Sequence, residues 1–153
     1  MSVTDVKASL SIYGEGKGLT AAAVTTALGM EPTSSYEFGD PISSMSPALR
    51  GKVRANSYWN YQMDRTVESQ EDPHGMESLV RLAELFEPKA SVLADLSEKY
   101  LIRVWMFGLS DSDQAGFVIG PETMRRLGTL SASFTGDIYM TDYLSAEDAA
   151  TYR

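Results

Sequence analysis

Residues 7–14 alternate between apolar and polar side chains, with Ala8, Leu10 and Ile12 on one side and Ser9, Ser11 and Tyr13 on the other. A period of two predicts a half-buried strand. Gly14, Gly16 and Gly18 break the pattern, and Thr20 is placed to cap a short helix through Leu28 whose buried stripe holds Val24 and Leu28. Gly29 suits a left-handed stop, and Pro32 prevents continuation. Residues 33–55 are rich in Ser, Pro and Gly and read as a long loop. A connection of that length is expected to hide a short strand or to carry function. From 57 to 63 the alternation returns, placing Trp59, Tyr61 and Met63 on one face and Tyr58, Asn60 and Gln62 on the other.

Between 75 and 100 the period becomes helical. Met76, Leu79, Val80 and Ala83 form a stripe that Leu82, Leu85 and Phe86 widen. Pro88 divides this stretch into two helices, the second carrying Val92, Leu93, Leu96 and Tyr100. Residues 101–107 predict a strand with Ile102, Val104 and Met106 opposed to Arg103, Trp105 and Phe107. A short strand over 117–119, a helix from Pro121 to Leu127 closed by Gly128, and a last strand over 133–140 complete the pattern. In that last strand Phe134, Ile138 and Met140 face inward and Thr135, Asp137 and Tyr139 face outward. The element order predicts an α+β fold: a ferredoxin-like antiparallel sheet with helices on one face and an inserted helical pair. A single domain over 1–153 is expected, with its core over 6–143 and a flexible tail over 145–153.

The segment Leu10-Ser11-Ile12-Tyr13-Gly14, then Leu19, Leu28-Gly29 and Pro32-Thr33, form an ordered set with Gly39-Asp40, Trp59, Ser112-Asp113-Gln114-Ala115-Gly116-Phe117 and Asp137-Ile138-Tyr139. In this set the chain resembles the DUF4279 family, small bacterial domains of undefined function, over nearly its whole length. The resemblance supplies no catalytic residues. It implies at most an immunity-like, partner-neutralising role of the kind that some relatives resemble.

The chain contains no cysteine, which excludes disulfides, thiolate catalysis and Cys-based metal sites and suits a reducing compartment. No stretch approaches the roughly 20 apolar residues of a membrane helix, and no signal pattern opens the sequence. A cytoplasmic protein without a membrane partner is expected. The formal charge of −8 would repel a phosphate backbone, and the one basic cluster, Arg50, Lys52 and Arg54, lies in the long loop. Nucleic acid is therefore not an expected partner.

Candidate chemistry is sparse. His74 is the only histidine and follows Pro73 at a helix start, which suits a solvated turn better than a triad. One histidine and no cysteine leave no zinc set, and no cofactor is expected. Asp111, Asp113 and Glu122 are spaced as in a calcium loop, but its fifth position is Ala115 and an Asp/Ser/Gly turn accounts for the residues equally well. Gly14-x-Gly16-x-Gly18 superficially resembles a phosphate-binding turn, with its third glycine one position early and Glu15 opposed to phosphate.

What remains is the strand face opposite the helices. It is expected to present Tyr13, Arg103, Trp105, Phe107, Asp137 and Tyr139. Tyr13, Trp59, Arg103, Trp105, Asp137 and Tyr139 are the candidate binding residues. Three fates of that face stay open: cover by the long loop and helical pair, burial in a homodimer, or recognition of a partner. The reading favoured for function is a non-catalytic module that binds a protein partner, with a basic partner steered by Glu77, Glu84, Glu87, Asp95 and Glu98 as its expected form. Its alternative is a small-ligand binder or enzyme in which Tyr13, Arg103, Asp137 and Tyr139 converge.

Overall fold

Alternation in the first strand works only if neighbours on both edges share its register, and they do. A computed structural model describes residues 3–63, 76–110 and 116–140, with side chains from Val6 onward. Strand β1 (Val3–Glu15) lies between β3 (Asn56–Gln62) and β4 (Leu101–Ser110), antiparallel to both. Leu10 stands level with Tyr61 and Val104, and Ile12 with Trp59 and Ile102. Strand β2 (Ser34–Tyr36) pairs with the outer edge of β3, and β5 (Ser133–Met140) with the outer edge of β4. The sheet order is β2-β3-β1-β4-β5.

The α+β class holds, and two finer expectations are corrected. The sheet is mixed, because β4 and β5 run parallel. The strand order is also not that of the ferredoxin-like fold. Alternation tells which face a side chain takes but not which way its strand runs. Direction follows from the connection, and here a crossover containing α4 (Pro121–Gly128) returns the chain parallel. Residues 117–119, expected as a short strand, are irregular, and the long loop contains β2 together with a Pro41–Val53 bridge.

Among the described residues, the four α-helices contribute to one apolar cluster on a single face of the sheet. Val24 and Leu28 of α1 (Ala21–Leu28), Leu79, Leu82 and Phe86 of α2 (Glu77–Phe86), and Leu93 of α3 (Ala90–Ser97) pack with Leu10, Ile12, Trp59, Val104 and Met106. Pro88 sits in a 3-10 turn between α2 and α3, where its missing N–H breaks no α-helical bond. Phe86 meets Trp59 and Tyr61 edge-on, at ring-centre distances of 6.5 and 5.7 Å. Leu10, Ile12, Val104 and Ile138 all lie on this face, as expected. The helical pair therefore belongs to the same layer as α1 and does not cover the opposite face.

Helix α4 is tied to α2 by charge. Arg126 bonds Glu84 and Glu87, and Arg125 bonds Glu87 and Glu122, at 2.7–3.1 Å. Arg125, with help from Arg126, holds the Glu87 carboxyl below its ordinary value, and Arg125 does the same for Glu122.

Two outcomes are expected. Phe86→Ala should lower unfolding free energy in urea by about 3–5 kcal/mol, whereas Met124→Ala, on the exposed side of α4, should stay within about 0.5 kcal/mol. Because the folded carboxyls titrate below 4.5, their stabilisation is complete above that pH and fades as pH falls through the lowered values. Thermal melts followed by circular dichroism should show wild type ahead of Glu87→Gln near neutral pH, with the gap closing in acid. A pH-independent gap would contradict the ion-pair account.

Candidate functional site

The register that buries Leu10 and Ile12 sends the intervening residues to the other face, where they align in rows across the strands. One row reads Tyr36, Tyr58, Tyr13, Leu101; the next Ser34, Asn60, Ser11, Arg103, Ser133; then Gln62, Ser9, Trp105, Thr135; then Lys7, Phe107, Asp137. The four described α-helices, α1 to α4, all contribute to the cluster on the opposite side.

The first row is a stack. Tyr58 sits 5.1 Å from Tyr36 on one side and 5.1 Å from Tyr13 on the other, and the Arg54 guanidinium covers the outer ring of Tyr36 at 4.1 Å. Burial pushes the Tyr58 phenol above its ordinary pKa, so it stays a neutral hydrogen-bonding group at physiological pH. Beneath these rings Ser11 donates to Asn60 at 2.8 Å, which satisfies a buried polar pair in the second row. Further along, the Arg103 guanidinium lies 5.1 Å from the Trp105 ring, and Phe107 packs against Tyr139 at 5.1 Å. Tyr139 is 55% exposed and Leu101 52%. A shallow depression of about 550 Å³ is lined by Tyr13, Glu15, Ala55, Asn56, Leu101 and Arg103.

Five of the six candidate residues, Tyr13, Arg103, Trp105, Asp137 and Tyr139, therefore share this face. Trp59 does not. It is fully buried among the helices, donating from its indole nitrogen to Thr25 at 3.0 Å. Arg103 and Asp137 do not converge either: Arg103 is level with Ser133, four positions from Asp137 along β5, or about 13 Å. Tyr36, Tyr58 and Arg54 were not among the candidates, although Tyr58 alternates with Trp59 and so belongs opposite the core. Finding Tyr36 and Arg54 required β2, which the loop composition concealed.

The glycine-rich turn has a packing role. A Cβ at Gly14 would fall 2.5 Å from the Ser57 Oγ and 2.7 Å from the Leu19 Cβ, and the same Ser57 hydroxyl donates to the Leu19 carbonyl. Where a phosphate would meet the start of α1, the Glu37 carboxylate already accepts from the Ala21 and Ala22 N–H groups. Of the calcium-loop residues, Asp111 and Asp113 lie outside the described residues, as do His74 and the 145–153 tail, while Glu122 is engaged with Arg125.

Charge is distributed unevenly. The described side chains carry eleven acids and eleven bases, so the formal −8 resides wholly in the other residues. Of the proposed steering acids, Glu84 and Glu87 are neutralised by Arg125 and Arg126. Among the described residues no helix is long and apolar enough to cross a membrane.

No curated protein and no solved structure matches the chain. A family model described as a domain of unknown function, DUF4279, matches residues 4–141. That span takes in every described strand from Thr4 onward and all the helices, so the chain belongs to the DUF4279 family.

Proposed function

We propose that the chain is a non-catalytic binding domain that recognises a protein partner through the sheet face opposite its helices. The observation that carries this reading is the concentration of Tyr13, Tyr36, Tyr58, Trp105, Phe107 and Tyr139 on the face opposite the four described α-helices. Rigid rings bury much area at little entropic cost, and partially solvated aromatic sets with arginine are typical of binding hot spots. The enzymatic alternative needs Arg103 and Asp137 at one point, and their separation along the sheet counts against it. Neutralising recognition of an immunity-like kind, inside a bacterial cytoplasm, is the biological form we favour. The lack of cysteine is in keeping with that compartment.

Two measurements test the reading. Acrylamide should quench the partly exposed Trp105 severalfold more strongly than Trp59, compared in Trp59→Phe and Trp105→Phe variants. Equal shielding of both would mean that the face is covered. A photo-crosslinking residue at position 139 should give a discrete adduct with a host protein, lost when Trp105 and Phe107 are both changed to Ala. The same group at position 98, on the helix side, should give none. Equal labelling at both positions, or an adduct only with a second copy of the chain, would overturn partner recognition.

A further inference from the structure

The two arginines of the open face are held unlike those among the helices. Arg125 and Arg126 each pair with carboxylates, whereas Arg54 and Arg103 lie over aromatic rings and have no carboxylate partner among the described residues. The Arg54 Nε is buried without an acceptor. A guanidinium stacked on a ring keeps its in-plane N–H groups available, and these fit a carboxylate in a two-pronged bond. Arg50 and Lys52 add exposed positive charge on the same hairpin as Arg54.

The spacing is definite. Arg54 lies 4.1 Å beyond the outermost ring of a row whose centres are 5.1 Å apart, and Arg103 stands on β4, one strand past Tyr13 and one row along, so the two positions are about 20 Å apart. In an extended peptide, side chains six residues apart point to the same side and are separated by about 20 Å. We infer that the open face takes an extended acidic protein segment laid across the strands over Tyr58 and Tyr13, with carboxylates at positions i and i+6 meeting Arg54 and Arg103. This rests on the open-face reading above and replaces the expected basic partner with an anionic one. Glu15, at the rim of the depression beside Arg103, and Asp137, further along the same face, are acids that oppose such a ligand.

The test uses the full chain and a fluorescein-labelled peptide, Tyr-Glu-Ser-Thr-Ser-Thr-Ser-Glu-Tyr, followed by anisotropy at low salt. Binding should weaken about tenfold in Arg54→Ala and again in Arg103→Ala, tighten in Glu15→Gln, and weaken with added salt. A peptide with Lys in place of Glu, and one with its two Glu residues adjacent, should bind at least about tenfold more weakly. Equal binding of the Lys peptide, tighter binding of a single-stranded oligonucleotide of the same charge, or affinity unchanged in both arginine variants would overturn the inference. If the acidic peptide fails while Trp105 remains quenchable and the position-139 adduct forms, the anionic ligand alone is refuted. If Trp105 is shielded, the open face and this inference fall together.

Discussion

Strand β1 is hydrogen-bonded on both edges, to β3 through residues 9–15 and to β4 through residues 7–13. A slip of one residue would carry Leu10 and Ile12 to the far side and bring Ser11 and Tyr13 beneath the helices. The buried face forbids that slip, since Trp59, Phe86, Leu79 and Val104 all pack around those two side chains. The same constraint places the tyrosines: what keeps Leu10 in holds Tyr13 out, level with Tyr58 and Leu101. Core and aromatic face are two consequences of one register.

Periodicity was sufficient to read the inward set Leu10, Ile12, Val104 and Ile138, because a strand with one buried face must alternate. The cap at Thr20 and the left-handed stop at Gly29 were legible for equally local reasons, since both depend on side-chain chemistry within one turn. Strand direction was not legible. β5 has the same alternation whether it runs with or against β4, and only the path through α4 decides. The three-residue strand β2 was hidden because Ser34 and Ser35 look like loop, and with it went Tyr36 and its stacked Arg54. Trp59 misled for another reason: its ring is large enough to suggest recognition, yet its alternation already placed it with Met63 on the side that the helices bury.

Electrostatics divides the molecule in a way that whole-chain charge conceals. The described side chains are formally neutral as a group. Among the helices, positive and negative groups are spent on one another, as with Arg126 between Glu84 and Glu87. On the face opposite the helices, Arg54 and Arg103 are instead fixed by rings. An ion pair fixes a charge by cancelling much of its field, whereas a ring orients a guanidinium and leaves most of that field intact.

Glu37 follows Tyr36 directly, and the two side chains serve opposite sides of the sheet. Tyr36 joins the ring stack, while the Glu37 carboxylate receives the first N–H groups of α1 and its backbone is held in a turn by Asp40. One peptide unit thus joins the outermost ring of the stack to the first turn of a core helix. The position of the outermost ring and the anchoring of that helix start are therefore set by two adjacent residues, through one peptide bond and the hydrogen bonds from Ala21 and Ala22 to Glu37.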